Sequence, residues 1–206
     1  MFAKDIVRYD FPAIKTNTSI DTVKQVFNTV KSSELPVIDE QGLFVGLLSK
    51  SEVENIGKDI GINVNSLPLS RIHVYPNQHL YEVFEVMITH MLDVVPVVDF
   101  KNLFVGVINQ KQLFDFLTTI VGIKQKGAVL TIKSKDSDIS MSQICHIVES
   151  NGAKITSIST LVNEDLTTDI TIKTNLLDVS SVIQAFNRYD YVVETLGGQT
   201  EILDSM

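Results

Sequence analysis

The sequence contains an internal repeat, and this feature constrains the fold more than any other. Residues 14–53 align without a gap with residues 74–113 at a constant offset of 60, and eleven of these forty positions are identical. A gap-free repeat of this length predicts one supersecondary unit that is used twice. Each copy has apolar faces that it cannot cover alone, so we expect the two copies to pack on each other.

Hydrophobic periodicity predicts the order strand, helix, strand, strand, helix in both copies. In the second copy, six apolar residues recur at the spacing of one helix face: Leu80, Val83, Phe84, Met87, Ile88 and Met91. Turn residues between paired apolar runs indicate a hairpin in each copy. The predicted elements of the first copy are an extended piece at 13–16, a helix from 17–19 onward, strands 35–38 and 43–48, and a helix from Ser49. Those of the second copy are 72–75, a helix from 77–79 onward, strands 94–98 and 103–108, and a helix from Asn109.

The sequence changes character after Gly127, where Ser and Thr alternate with Ile and Val. Residues 128–133, 155–162, 166–174 and 191–193 read as strands, with two amphipathic helices between them. Ser140 and Gln143 have the spacing of a capping box, and Gly152 is placed to end the first of these helices. This βαββαβ order is that of the ferredoxin-like fold.

The predicted fold class is therefore α/β (α+β), with a duplicated module followed by a ferredoxin-like domain. We place the duplicated module at residues 1–120, with its repeats at about 1–60 and 61–120. The second domain spans 127–196, and 197–206 form a tail.

Composition excludes several classes of partner. The chain has 206 residues and a formal net charge of −8, so it has no bulk attraction for nucleic acid or for an anionic membrane surface. No apolar run approaches the ~20 residues that a spanning helix needs. We see no signal peptide, and the single cysteine, Cys145, fits a reducing compartment, so we expect a cytoplasmic protein.

The chain has no recognisable catalytic or metal-ligand constellation. The four histidines are scattered, with no pair at a metal-ligand spacing alongside cysteine or carboxylates: 73, 79, 90 and 146. Cys145 lies on the apolar stripe of a predicted helix, which favours an inert thiol. We therefore expect a protein that is not an enzyme and requires no cofactor.

The repeated segments resemble a known family. LPVIDEQGLFVGLLSKSEV, from residue 35, and VPVVDFKNLFVGVINQKQL, from residue 95, are similar to the cystathionine-β-synthase (CBS) domain. Two such domains in tandem resemble a Bateman module. The resemblance implies a cleft between the copies that takes an adenine nucleotide.

The resemblance also implies which residues would line the cleft. The family motif is Gly-x-x-Ser/Thr-x-x-Asp, in which the hydroxyl meets phosphate and the carboxylate accepts hydrogen bonds from ribose. In the first copy Ser49 keeps the hydroxyl, Lys50 adds a cation and Glu52 replaces the Asp; in the second copy Asn109 and Gln112 replace both groups. The candidate ligand-binding residues are Thr16, Pro36, Ser49, Lys50, Glu52, Pro96, Asn109 and Gln112.

The same residues have a purely structural interpretation. Ser49 and Glu52 are spaced as a capping box, and Asn109 and Gln112 form a near version of one. Such side chains can serve only to satisfy free amides at a helix start. Both interpretations stay open at each motif, with ligand contact favoured less in the second copy than in the first.

The C-terminal part resembles the ACT domain, a small-molecule-binding regulatory module, through GAVLTI from residue 127 and ICHIVESNGAKITSI from residue 144. A CBS pair followed by an ACT-like domain is similar to bacterial acetoin-utilisation-like proteins. The loop at 135–140 lacks the glycine that amino-acid-binding members usually carry. A dimerising sheet without an amino-acid ligand is therefore the favoured interpretation of this domain.

Two functions follow from these resemblances. The first is a regulatory sensor whose CBS pair binds AMP, ADP, ATP or S-adenosylmethionine, with the ACT-like part adding small-molecule sensing or dimerisation. The second is a ligand-free module that dimerises or binds a partner enzyme, and whose motifs are only helix caps. Both predict a homodimer.

Overall fold

The computed structural model describes residues 1–56, 63–134 and 140–196. The chain divides into two compact units, Met1–Asp115 and Phe116–Met206. The predicted tail, 197–206, and most of the predicted loop at 135–140 lie outside the described residues. The predicted domain bounds stay a prediction.

The first unit contains the predicted element order in both copies. Its strands are β1 (Ile14–Lys15), β2 (Glu34–Ile38), β3 (Phe44–Ser49), β4 (Val94–Val98) and β5 (Phe104–Asn109). Its helices are α1 (Ile20–Thr29), α2 (Lys50–Asn55), α3 (Leu80–Thr89) and α4 (Gln110–Ile120), the last of which crosses the division between the units.

The two copies have the same strand pairing. β1 pairs in parallel with β2, which pairs antiparallel with β3. In the second copy β4 pairs antiparallel with β5, and Val74 takes the place of β1 through a parallel bridge to Val97. The register slips between Val37 and Ile38 and at the equivalent step in the second hairpin. The prediction of one unit used twice is confirmed.

Each copy buries one face of its first helix. Val23 and Phe27 are buried on α1, and Val83 and Met87 are buried at the same positions on α3. The predicted stripe on α3 is wrong at its C-terminal end, because Ile88 and Met91 are exposed. Ile88 lies at the edge of the stripe on a helix of 3.6 residues per turn, and the helix ends before Met91, whose φ is 51°.

The segment that precedes each copy in the sequence packs on the other copy. A short 3₁₀ turn at Ala3–Asp5 lies on the second copy, where the Ala3 amide donates to the Gln78 carbonyl at 2.9 Å. The equivalent turn at Val64–Ser66 lies on the first copy, where the Asn65 amide donates to the Thr16 carbonyl at 3.2 Å. The two halves of this unit are therefore interleaved along the chain.

Two glycines allow this interleaving. A Cβ on Gly46 would lie 2.6 Å from the Cβ of Leu69, and a Cβ on Gly106 would lie 2.2 Å from the Arg8 carbonyl oxygen. Both glycines lie in the strands against which the crossing segments run, β3 and β5. Only a residue without a side chain permits this backbone approach.

The second unit has the ferredoxin-like order that the sequence predicts. Its elements are β6 (Val129–Ser134), α5 (Met141–Ser150), β7 (Ile155–Val162), β8 (Thr168–Thr174), α6 (Ser180–Arg188) and β9 (Val192–Leu196). The strands form one antiparallel sheet in the order β7-β8-β6-β9. Both helices contribute to its core, which includes Ile144, Ile172 and Phe186. None of the helices that the structure describes combines the length and the apolar character that crossing a bilayer requires.

Only one of the two hydrogen bonds of the predicted capping box is present among the described residues at the start of α5. The Ser140 hydroxyl accepts from the Gln143 amide at 3.3 Å. The Gln143 side chain accepts from the Tyr191 hydroxyl at 3.2 Å. Gly152 follows the helix at φ 83°, as the sequence predicts.

Gly106→Ala tests the close approach of the N-terminal segment to β5. We expect a loss of about 1–3 kcal/mol in the free energy of unfolding, because the new methyl group displaces the backbone at Arg8. Urea unfolding followed by circular dichroism measures it. Lys101→Ala, in the exposed turn of the same hairpin, is the control and should change stability by under about 0.5 kcal/mol. Equal stability of the two variants would contradict the proposed packing.

Candidate ligand site of the repeated unit

Equivalent residues of the two copies touch each other at both ends of the hairpins. Leu43 and Leu103 form an isolated antiparallel bridge. At the other end the Ser33 amide donates to the Asp93 carboxylate at 3.0 Å. Both pairs are separated by 60 residues, the offset of the repeat. The antiparallel contact of Leu43 with its own equivalent places an internal twofold axis there, and the axis runs along the paired hairpins towards Ser33 and Asp93.

The hairpin turns hold each other through backbone hydrogen bonds. The Phe44 amide donates to the Asn102 carbonyl at 2.8 Å, and the Phe104 amide donates to the Gly42 carbonyl at 3.1 Å. The Asn102 side-chain amide also donates to the Phe44 carbonyl at 2.9 Å. These bonds satisfy backbone groups that the hairpins leave open and fix one copy against the other.

Two carboxylates join the copies at the opposite end. The Asp93 amide donates to the Glu34 carboxylate at 3.0 Å, while the Asp93 carboxylate accepts from the Ser33 amide. Glu34 is only 8% exposed. Burial raises the pKa of Glu34 above its ordinary value and the nearby Asp93 charge adds to this, although the amides of Asp93 and Val94 oppose the shift.

The helices of both family motifs begin beside these carboxylates. The Lys50 amide donates to the Ser33 carbonyl at 2.7 Å, and the Gln110 amide donates to the Asp93 carbonyl at 3.2 Å. The start of α2 and the start of α4 therefore lie at the same end of the paired hairpins. The tertiary structure brings together two motifs that lie 60 residues apart in the sequence.

The first-copy motif is only half a capping box. The Ser49 hydroxyl accepts from the Glu52 amide at 3.3 Å and shares a hydrogen bond with the Ser51 hydroxyl at 2.9 Å. The Lys50 ammonium lies 3.7 Å from the Glu54 carboxylate and is 44% exposed. Within the described ranges, the Glu52 carboxylate has no hydrogen-bond or ion-pair partner. Of the three polar side chains of this motif, only the Glu52 carboxylate is therefore unengaged among the described residues.

The second-copy motif is a complete capping box. The Gln112 amide donates to the Asn109 side-chain oxygen at 3.0 Å, and the Asn109 amide donates to the Gln112 side-chain oxygen at 2.9 Å. The Gln112 side-chain nitrogen donates to the Ile6 carbonyl. The residue types predict the fuller box in the first copy, but the structure has it in the second. Gln112 is also held by the N-terminal segment, whereas the Glu52 carboxylate has no such contact among the described residues.

The other predicted site residues lie elsewhere in the unit. Thr16 follows β1 next to Ile38, at the opposite end of β2 from Ser49, roughly 13 Å along the strand. Pro36 and Pro96 are buried in the middle of β2 and β4. Within one copy, Ser49, Lys50 and Glu52 are together, whereas Thr16 is not. Sequence reasoning did not single out Glu34 or Asp93, because only their meeting across the axis gives them a role.

The described residues contain no group of three or more His, Cys, Asp or Glu side chains that could hold a metal ion. Cys145 is half-buried.

Two gap-free copies of one α/β unit that meet on an internal twofold axis define a tandem-repeat module. Residues 3–56 and 64–119 both match the family model for the CBS domain, and together they make up more than half of the chain. The chain belongs to the CBS domain family. The prediction of a tandem CBS pair is confirmed.

Relatives share the first part of the chain. An inosine-5′-monophosphate dehydrogenase of Helicobacter pylori is 28% identical over 103 residues, which are 48% of this chain and 21% of that enzyme. The chain thus matches only about a fifth of the length of this curated relative. The whole enzyme's activity is not carried over to this chain.

Solved structures share the fold. A CBS domain pair/ACT domain protein from Thermotoga maritima aligns with a TM-score of 0.52 at 20% identity, covering 57% of this chain and 96% of that chain. CBSX2 in complex with AMP aligns with a TM-score of 0.51 at 21% identity, covering 60% of this chain and 98% of that chain. At this level of identity the similarity shows the fold alone. The ACT resemblance of the second unit stays a prediction.

Glu34→Gln tests the buried carboxylate. A carboxyl group with a raised folded-state pKa favours folding below its ordinary pKa of 4.5 and progressively opposes it as the pH rises through the folded-state pKa. We therefore expect the difference in melting temperature, variant minus wild type, to increase from pH 5 to pH 8. Thermal unfolding of both proteins in matched buffers measures it. A difference that stays constant or shrinks would contradict the assignment.

The two motifs make a second prediction about stability. Asn109→Ala removes the side-chain oxygen that accepts from the Gln112 amide at 3.0 Å and should lower the free energy of unfolding by about 0.5–2 kcal/mol. Ser49→Ala removes a single, longer cap and is the matched control, with a smaller expected loss. Chemical denaturation of both variants provides the comparison, and a larger loss for Ser49→Ala would refute the assigned capping roles.

Proposed function

We propose that this chain is a regulatory protein of the cytoplasm, not an enzyme, whose CBS pair binds an adenine nucleotide at the first-copy motif. The family relationship supports a regulatory role, and CBSX2 of the same fold holds AMP. The proposal assigns the ligand to Ser49, Lys50 and Glu52.

The observation that carries this proposal is the contrast between Glu52 and Gln112. These residues are equivalent under the repeat, but the Glu52 carboxylate is unpartnered among the described residues, whereas both ends of the Gln112 side chain are engaged. A ligand that binds at Glu52 displaces no hydrogen bond, whereas one that binds at Gln112 must break two. The proposal therefore gives one nucleotide per chain.

The first-copy groups suit the chemistry of a nucleotide. The Lys50 ammonium is partly exposed and its contact with Glu54 is a weak surface pair, so it is available to a phosphate. The Glu52 carboxylate can accept two hydrogen bonds from the vicinal hydroxyls of a ribose. Hydrogen bonds to ionised groups are stronger than neutral ones, so these two residues would supply most of the polar affinity.

Regulation requires that the ligand bind two arrangements of the module with different affinity. Glu34 and Asp93 connect the two copies next to the first-copy motif. The Ser33 amide donates to the Asp93 carboxylate, and the Ser33 carbonyl accepts from the Lys50 amide. Ligand contact at Lys50 would therefore bear on the contact between the copies. In this proposal the ligand changes the arrangement of the contact between the two copies.

We propose that the second unit acts as an ACT-like domain that contributes dimerisation or small-molecule sensing. Its βαββαβ order and its single antiparallel sheet support this assignment. An amino-acid ligand is the less favoured role, because the sequence at 135–140 contains no glycine. Self-association as a homodimer and contact with a partner enzyme belong to the same proposal.

A ligand-free interaction module is the second candidate. The complete capping box of Asn109 and Gln112 favours it, since that motif is fully used in stabilising its own helix start. In this alternative Ser49 is likewise only a cap. Binding measurements separate the two candidates.

Isothermal titration with AMP, ADP, ATP and S-adenosylmethionine tests the proposed site. We expect one of these ligands to bind with a stoichiometry of one per chain. Lys50→Ala and Glu52→Gln should weaken binding about tenfold each, because each removes a hydrogen bond to a charged group. Lys111→Ala is the matched control, since Lys111 is an exposed cation at the start of α4.

Three other outcomes of the titration would contradict parts of this proposal. Absence of binding to all four ligands at millimolar concentration would overturn the nucleotide proposal and favour the ligand-free module. A stoichiometry of two would contradict the assignment of a closed second-copy motif. Equal weakening by Lys111→Ala and Lys50→Ala would show that binding depends on general charge instead of the first-copy motif.

A further inference from the structure

A cavity of about 230 Å³ lies between the two helices of the second unit. The two apolar residues that line it, Ile147 on α5 and Ala185 on α6, are each 2% exposed. The chain as a whole has 25 acidic and 17 basic residues, yet no Asp or Glu of the described residues lines this cavity. Its other lining residues are polar: His146, Ser150, Asn151, Arg188 and Tyr189.

Helical spacing brings these side chains to one place. His146 and Ser150 are four residues apart on α5, and Ala185 and Arg188 are three residues apart on α6, so each pair lies on one face of its helix. The packing of α5 against α6 sets the two faces beside each other. Ala185 extends no further than its Cβ, which leaves room for a ligand between the longer side chains.

Two of the polar side chains are used by the end of α5. The Asn151 side-chain amide donates to the Ile147 carbonyl at 2.8 Å, and the Ser150 hydroxyl donates to the same carbonyl at 3.3 Å. Backbone amides beyond the helix donate to the carbonyls of Val148 and Glu149. The partial negative charge at this helix end is therefore offset by donors of the chain itself.

The other three polar side chains are unengaged. Across the ranges that the structure describes, the side chains of His146, Arg188 and Tyr189 have no hydrogen-bond or ion-pair partner. Each of them carries an N–H or O–H donor, and the Arg188 guanidinium carries a planar fork of them. At the end of α6, backbone amides donate to the carbonyls of Phe186 and Asn187. The cavity thus presents unpaired donors and no carboxylate to receive them.

We propose that this cavity binds a phosphate group, as inorganic phosphate or as the phosphate of a small phosphomonoester, through Arg188, His146 and Tyr189. A guanidinium forms two parallel hydrogen bonds with an oxyanion. Donors that come from two helices suit a tetrahedral oxyanion, whose acceptor oxygens point in several directions. A planar carboxylate offers only two such oxygens.

The size of the cavity separates this ligand from a nucleotide. Ligand pockets usually measure about 300–1,000 Å³. A cavity of about 230 Å³ holds a phosphate group or a small molecule, but not a whole nucleotide. The inference goes beyond the proposed function, since it requires neither nucleotide binding at Ser49 nor self-association.

Nuclear magnetic resonance titration of the full isotope-labelled chain with inorganic phosphate tests the site. We expect amide shifts that saturate at the ends of α5 and α6, and none with sodium chloride at matched ionic strength. Arg188→Gln should weaken binding at least about tenfold, because it removes charge-assisted hydrogen bonds. Arg71→Gln is the matched control, since it removes the same charge from an exposed arginine of the first unit and should leave binding unchanged.

Arg188→Lys separates ligand binding from helix stability. A lysine keeps the positive charge that favours the end of α6, but it lacks the guanidinium fork. We expect an unchanged melting temperature and binding that is about fivefold weaker than in the wild type. Titration with glycerol 3-phosphate alongside inorganic phosphate identifies the source, because the cavity should bind the one that it takes more tightly.

Three outcomes would overturn the inference. The first is the absence of shifts at the ends of α5 and α6 at tens of millimolar phosphate. The second is an equal loss of binding in Arg71→Gln and Arg188→Gln, which would indicate general charge. The third is acetate binding as tightly as phosphate. Because the shifts are read residue by residue, phosphate binding at Ser49 is distinguished from binding at Arg188.

Discussion

The contact between equivalent residues of the two copies is the interaction on which the first unit depends. At one end the hairpin turns exchange backbone hydrogen bonds, and at the other end Glu34 and Asp93 receive backbone amides from the opposite copy. Small sheets of two or three strands leave backbone groups open, and these contacts satisfy some of them without water. Because the contacts lie on the internal axis, they also place the starts of α2 and α4 at one end of the module, where the candidate ligand residues lie.

Duplication left the two copies with one core and two different surfaces. The core is constrained because a change of volume at a buried position such as Val23 or Val83 is costly. Exposed positions carry no such constraint, and several of them differ in polarity between the two copies. The first copy has a carboxylate at Glu52 that is unpartnered among the described residues, whereas in the second copy both ends of the Gln112 side chain are engaged. This difference assigns ligand binding to the first copy in the function proposed above.

Helix caps and ligand sites use the same chemistry, which is why the motifs were ambiguous. A hydroxyl or carboxamide at a helix start can accept from a backbone amide or meet a phosphate. The structure shows which of these side chains are already engaged in contacts within the chain. Gln112 is held by Ile6, a residue 106 positions away in the sequence, and no local pattern at Asn109 reveals that contact.

The sequence by itself determined the duplicated unit, the element order, the family and the ferredoxin-like order of the second unit. Hydrophobic periodicity and a gap-free repeat can both be read directly along the chain. It placed β4 at its observed bounds and the other hairpin strands within one residue of theirs. Only the tertiary structure decided the crossing of the N-terminal segment, the pairing of Glu34 with Asp93 and the exposure of Ile88 and Met91. These features depend on how distant segments pack around the internal axis, and a one-dimensional pattern does not contain that information.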